Sequence, residues 1–275
     1  MRGLNQLSDK IILFHKANSK AIGRSSPASK EVVLNIIREH DPDAISLIPA
    51  NQNLYFLAKR IMDIVVATLL LTLSLPVMVI IAPIIYISSP GPIIFIQDRV
   101  GVKRKLFKDQ AYWQKRTYRN YKFRTMELNA DTSIHQAFIK ALIEKNEEEM
   151  AALQGETTQS HKLVNDSRVI RRGKFLRRFS LDELPQFWNV LRGDMSVVGP
   201  RPAIPYEVEM YHPWHLRRLE TLPGITGLQQ VKARSTDFDQ QVCFDIEYIE
   251  NQSLGLDISI MLKTIWAVLS TKGAY

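Results

Sequence analysis

The chain has 275 residues, 36 Lys+Arg against 28 Asp+Glu, a formal net charge of +8 and one cysteine, Cys243. That length supports one large domain or two small ones, and a single cysteine excludes an internal disulfide framework or a cysteine-rich metal site. The basic excess suits an anionic membrane surface, phosphorylated small molecules or nucleic acid, while a mean hydropathy of -0.12 hides a sharp local excess of apolar residues.

Residues 1–50 are mixed. Leu7–Ala17 and Lys30–His40 carry short apolar periodicity on either side of Gly23, Ser25, Ser26 and Pro27, and predict two short elements. The first forty residues hold no apolar run followed by a small-residue cleavage site, so no cleaved secretory signal is expected.

Between Asp63 and Asp98 there is no charged residue. The stretch Ile64–Ile87 would be about 36 Å long as a helix, enough for a hydrocarbon layer of roughly 30 Å. A soluble core helix is rarely so long and apolar on every face. Pro76 predicts a kink or break near Ser74–Pro76, where the Ser74 hydroxyl can take up a loosened carbonyl. Lys59 and Arg60 precede the stretch, and Arg99, Lys103, Arg104, Lys105 and Lys108 follow it. Both ends therefore carry the cytoplasmic charge signature, which leaves two geometries: a simple span, or a helix that turns at the proline and returns.

The cluster Ser88-Ser89-Pro90-Gly91-Pro92 ends this element. Strands are expected at Ile93–Gly101 and Tyr118–Met126, then one helix over 131–154. The densest segment is 166–202, with six basic side chains from Arg168 to Arg178. Arg171, Lys174 and Arg178 can share a helical face fitted to lipid headgroups or a polyphosphate. Ser180 and Glu183 have capping-box spacing, so Asp182 and Glu183 can be read as helix caps alone. They can also be read as chemistry. Adjacent carboxylates behind a cationic cluster, with Asp194 returning downstream, could hold Mg²⁺, and a carboxylate can attack phosphorus to form an acyl phosphate. Gly199-Pro200-Arg201-Pro202 sets an arginine in a rigid, extended frame suited to a phosphate. A helix is expected over 205–221, a Pro/Gly turn at Leu222–Gly227, and an apolar helix at 256–269. No dinucleotide, P-loop, metalloprotease or thiol-redox motif is present, and no nucleic-acid module accompanies the charge, so no nucleic acid is expected as partner.

Taken together, KRIMDIVVATLLL, GPIIFIQDRVG, YKFRTM, DSRVIRRGKFLRRFSLDELPQFWNVLRGDMSVVGPRP, LPGITGLQQV and the closing LDISIMLKTIWAVLSTKGAY resemble the bacterial sugar transferase family, the polyprenyl-phosphate glycosyl-1-phosphate transferases. The resemblance covers most of 58–275. It implies a mainly α fold with a small β component, divided into an N-terminal extension (1–57), a Pro-broken re-entrant membrane helix (58–92) and a cytoplasmic catalytic domain (93–275). The implied reaction moves a sugar 1-phosphate, by flavour a hexose 1-phosphate, from a UDP-sugar to undecaprenyl phosphate with release of UMP. It would serve surface-glycan synthesis at the inner membrane of a bacterium; the basic charge adds anionic phospholipid as a partner, and a homodimer is left open. The resemblance makes Asp182 the nucleophile and Glu183 a Mg²⁺ ligand, and gives Arg177 and Arg201 to phosphate. Lys122, Arg124, Gln230 and Arg234 become further substrate or structural contacts. Two departures stand out: Leu75 replaces the usual serine before Pro76, and Leu222 replaces an arginine common before Pro223, with Arg217 or Arg218 as substitutes. The competing reading is a membrane-anchored scaffold whose carboxylates only cap helices.

Overall fold

The computed structural model describes residues 27–128, 130–154, 168–232 and 237–269. The first expected element, Leu7–Ala17, lies outside them. The second forms α1, Pro27–Arg38, whose Val33, Leu34 and Ile37 are buried against Ala44 and Tyr112. The short β1, Ala44–Leu47, joins a ribbon made by β2, Ile94–Phe107, and β3, Gln110–Phe123, in the order β1-β3-β2. Lys108 and Asp109 turn the ribbon with φ of 44° and 64°, the two left-handed residues of a tight hairpin loop whose twist matches the strands. β2 runs well past its expected end, because the run Lys103-Arg104-Lys105 is exposed and masks the alternation, while β3 starts well before Tyr118 and stops short of Met126.

The apolar stretch becomes α2, Asn53–Ser88, one helix that continues through Pro76 and Pro83. Of the kink or break expected near Ser74–Pro76, the break does not form, and the Ser74 hydroxyl donates to Leu71 O at 3.3 Å. Leu69, Leu73, Leu75, Val79, Ile80 and Ile87 are exposed, and only 11% of its most apolar stretch is buried. It is a candidate membrane element and not a core helix. Its two ends are held differently. At the start, Arg60 donates to Val190 O and Leu191 O at 2.6 and 2.7 Å, and Asp63 accepts from the Ser196 hydroxyl and Val197 N–H, both at 2.9 Å. Near the finish, Ile81 and Ile85 pack with Phe123 and Leu176.

Beyond the ribbon the chain is helical. The region expected as one helix divides into α3, Ser133–Glu144, and α4, Glu147–Gln154, because Lys145 turns left-handed with φ 57°. Then come α5, Arg171–Arg178, a 3-10 turn at Leu181–Glu183, and α6, Gln186–Arg192. The strand β4, Ser196–Val198, pairs in parallel with β5, Gly224–Thr226, where only a turn was expected. Between them the expected helix over 205–221 splits into α7, Pro205–Glu209, and a 3-10 segment, Pro213–Leu219, since Pro213 cannot donate to a continuing helix. The last elements are α8, Leu228–Lys232, α9, Phe238–Glu250, and α10, Leu254–Leu269. Tyr118, Phe187, Val190, Met195, Val198, Tyr248 and Ile260 form the central core, with Ala67 of α2 among them.

Candidate active site

Asp182 and Glu183 lie on the 3-10 turn between α5 and α6. The capping box does not form: Ser180 is left-handed with φ 53° and makes no side-chain cap. A non-glycine residue in that region is strained, and such strain concentrates at functional turns. Glu183 instead faces the end of β3, where Lys122 Nζ donates to its carboxylate at 2.7 Å. Arg177, at the end of α5, donates through Nε to Thr125 Oγ1 at 2.9 Å. Asp182 is buried. Burial raises its carboxyl pKa and the Glu183 charge adds to this, while Lys122 and Arg177 pull against the rise. A carboxylate stripped of water but held by two cations is a poised nucleophile for an electrophilic phosphorus.

The structure thus brings Asp182, Glu183, Lys122 and Arg177 together. It sends Arg124 elsewhere. That side chain is buried and closes the end of α2, donating through Nε to Pro92 O at 2.6 Å, through Nη1 to Ser89 Oγ at 2.9 Å, and through Nη2 to Ser89 O. Asp194 is likewise remote. It binds Arg116 at 2.5 Å and Arg192 at 3.2 Å, and Arg116 stands six residues, about 20 Å of strand, from Lys122 on β3. A cavity of about 390 Å³ at that end, lined by Asp98, Arg116, Tyr121, Arg192 and Asp194, is therefore separate from the carboxylate pair.

Arg201 sits on a loop locked from both sides. Gly199 N–H donates to Thr226 O and Gly224 N–H to Pro200 O, each at 2.8 Å, and a Cβ on Gly224 would lie 2.1 Å from Gly199 N. Only glycine lets the two backbones meet this closely. The Arg201 side chain is exposed and has no hydrogen bond or ion pair among the described residues. Gln230, on α8, is close to Gly227 behind this loop, and its Oε1 is buried without a hydrogen-bond partner among the described residues. Arg234 lies outside the described residues. Both proposed substitutes for the missing arginine at 222 are engaged in ion pairs: Arg217 binds Glu250 at 2.8 Å, and buried Arg218 binds Asp245 at 2.6 Å. Leu222 packs instead beside Ile48, Val102 and Trp113.

A second polar group was not singled out from sequence. Arg99 of β2 donates to Pro202 O at 2.8 Å and to Gln97 Oε1 at 2.7 Å. His135 of α3 and Tyr206 of α7 meet with Nδ1 and the hydroxyl 2.6 Å apart. Burial pushes the His135 pKa down to about 4, helped by the charges of Arg201, Arg168 and Arg99. Within the sequence Arg168 counted only as one of a basic run, and His135 gave no signal because its neighbours come from 70 residues downstream.

Residues 54–271 match the model of the bacterial sugar transferases. The chain belongs to the bacterial sugar transferase family. It is 40% identical over 222 residues to "Galactosyl transferase CpsE" of Streptococcus agalactiae serotype III, a match covering 80% of this chain and 44% of that protein. It is 39% identical over 223 residues to "Undecaprenyl-phosphate galactose phosphotransferase" of Salmonella typhimurium, covering 79% and 41%. With "Exopolysaccharide production protein ExoY" of Rhizobium meliloti it shares 36% identity over 220 residues, 80% of this chain and 88% of that protein. This sugar transferase therefore spans less than half the length of the first two relatives and nearly all of the third. The matched region includes α2, the ribbon and the Asp182–Glu183 turn, and it begins after α1 and β1.

Proposed function

We propose that this protein transfers a sugar 1-phosphate, a hexose 1-phosphate, from a UDP-sugar to undecaprenyl phosphate at the cytoplasmic face of a bacterial inner membrane. The observation that carries the reading is the buried Asp182 flanked by Lys122, Arg177 and Glu183. In the first half-reaction a carboxylate oxygen of Asp182 attacks the sugar-bearing phosphorus, the bond to the bridging oxygen breaks, and UMP departs with that oxygen. In the second, an oxygen of the lipid phosphate attacks the same phosphorus, and the Asp182 carboxylate leaves as a polyprenyl-diphosphate sugar forms. Lys122 and Arg177 lie where they offset charge on the transferred phosphoryl oxygens. The adjacent carboxylates of Asp182 and Glu183 fit Mg²⁺, which takes one or two carboxylates and leaves its other positions to phosphate and water. Asp194 has no part in that set. Bound there, the ion would supply positive charge to the diphosphate.

The membrane arrangement we propose is a helix bent at Pro76 that enters and leaves on one face. A straight helix would separate Asp63 from Ile85 by about 33 Å. Yet Ile85 packs with Phe123, two residues beyond Tyr121, whose N–H is bonded at 3.1 Å to Asn189 in the helix that Arg60 grips. Exposed Ile258, Leu262, Ile265 and Trp266 on α10 supply a further apolar face for the bilayer. Cysteines at residues 51 and 92, in a Cys243→Ser background, should react with an impermeant maleimide from the same side; labelling from opposite sides would restore a span.

The activity is tested by screening UMP release across UDP-sugars with undecaprenyl phosphate and Mg²⁺. Asp182→Asn should abolish both transfer and the covalent phosphosugar adduct. Full turnover by that variant would sink the nucleophile assignment, and no UMP release by the unaltered protein would leave only a scaffold.

A further inference from the structure

The mechanism above uses the cations beside Asp182 and leaves a second set unassigned. Arg99 is 8% exposed, and its Nε is buried with no hydrogen-bond partner among the described residues. It grips the carbonyl of Pro202, next to the exposed Arg201, whose positive charge joins burial in lowering the Arg99 pKa. The carboxylate nearby, Glu207, is engaged by the Tyr211 hydroxyl at 2.5 Å and by Ile204 N–H at 3.3 Å. Arg168 bears on the same His135 and Tyr206 pair through its charge, with its guanidinium donating to Asp131 O. Its backbone joins the segment just past β3 that Arg177 also holds. Arg168 O accepts from Glu127 N–H at 2.8 Å, and Val169 bridges to Met126, the residue after the Thr125 that Arg177 holds.

Like charges gathered around a neutral imidazole–phenol pair call for an anion with hydroxyl groups attached. Resting on the transfer reaction proposed above, we infer that Arg99, Arg168 and Arg201, with His135 and Tyr206, form the subsite of the departing nucleoside monophosphate. The guanidiniums take its phosphate, and the imidazole and phenol take ribose hydroxyls. In-line displacement calls for cations at the leaving oxygen that are distinct from those beside the attacking carboxylate. A lipid phosphate would bring an isoprenoid chain, for which a hydrogen-bonding pair offers no match. The helix α3 would thereby contribute directly to the donor site through His135.

The test is titration of UMP into the full chain in lipid nanodiscs, beside steady-state turnover. Arg168→Gln should weaken UMP binding about tenfold, the scale of one lost charge-assisted hydrogen bond. Tyr206→Phe should weaken it by a smaller factor, Arg168→Lys should recover part of the loss, and the KM for undecaprenyl phosphate should stay constant. Unchanged UMP affinity in Arg168→Gln and Tyr206→Phe, or no UMP binding at all, would overturn the subsite. A rise confined to the lipid-phosphate KM would also overturn it and give the cations to the acceptor. UMP binding that responds to these variants in a protein without turnover would instead count against the transfer reaction and leave the subsite standing.

Discussion

Lys59 offers the sharpest test of how the membrane helix is fixed to the domain. Its ammonium meets Asp257 at 3.1 Å, and the two side chains are 4% and 0% exposed. Asp257 also accepts from the Tyr55 hydroxyl at 2.9 Å and the Tyr248 hydroxyl at 2.7 Å, so α2, α9 and α10 converge on one carboxylate. Lys59→Met leaves that charge buried with two phenolic donors. Removing one partner of a buried pair costs about 3–5 kcal/mol, and the remaining hydrogen bonds place this case toward the lower end. For a chain of this size, that range corresponds to a fall in Tm of about 6–20 °C. The assay is thermal unfolding in nanodiscs, followed by tryptophan fluorescence. Replacing both partners, as Lys59→Met with Asp257→Leu, should recover part of the loss, since neither charge is then stranded. A fall below about 2 °C for Lys59→Met alone would refute the argument.

Three further outcomes follow from the same geometry. Burial and Glu183 raise the Asp182 pKa while Lys122 lowers it, and in the proposed reaction the carboxylate form is the nucleophile. Lys122→Gln should therefore move the acid limb of the pH–rate profile to higher pH, with activity lost first at the acid end; an unmoved limb would separate Lys122 from Asp182. Gly224→Ala must push a methyl group into Gly199 N at 2.1 Å, so stability should fall by at least the ~1–3 kcal/mol typical of overpacking, with transfer lost through the displaced Arg201 loop. Asp194→Asn should lower Tm by weakening the Arg116 and Arg192 contacts, yet leave the Mg²⁺ dependence of turnover unchanged; an altered dependence would return Asp194 to the metal site.

The sequence alone carried the features that depend on local composition and spacing. An uncharged run between Asp63 and Asp98 is a property of consecutive residues, and it became a helix exposed along most of its length. The pairing of Asp182 with Glu183 behind a basic segment was legible for the same reason, and so was the rigid frame around Arg201. Capping-box spacing misled, because it records only that a hydrogen bond is possible. The ion pair with Lys122, 61 residues away, determines where Glu183 points. Arg124 and Asp194 belong to the same lesson. Their charges suggested ligands, but the fold spends one on the carbonyls ending α2 and the other on two arginines far along β3.

Residues 27–52 had no readable role, since β1 gains its meaning only by pairing with β3 more than sixty residues later. Sequence thus determined that an apolar helix and a strongly basic segment followed by paired carboxylates exist. Tertiary structure decided which charges meet, because burial and long-range pairing, absent from any local window, set the cost of leaving each one alone.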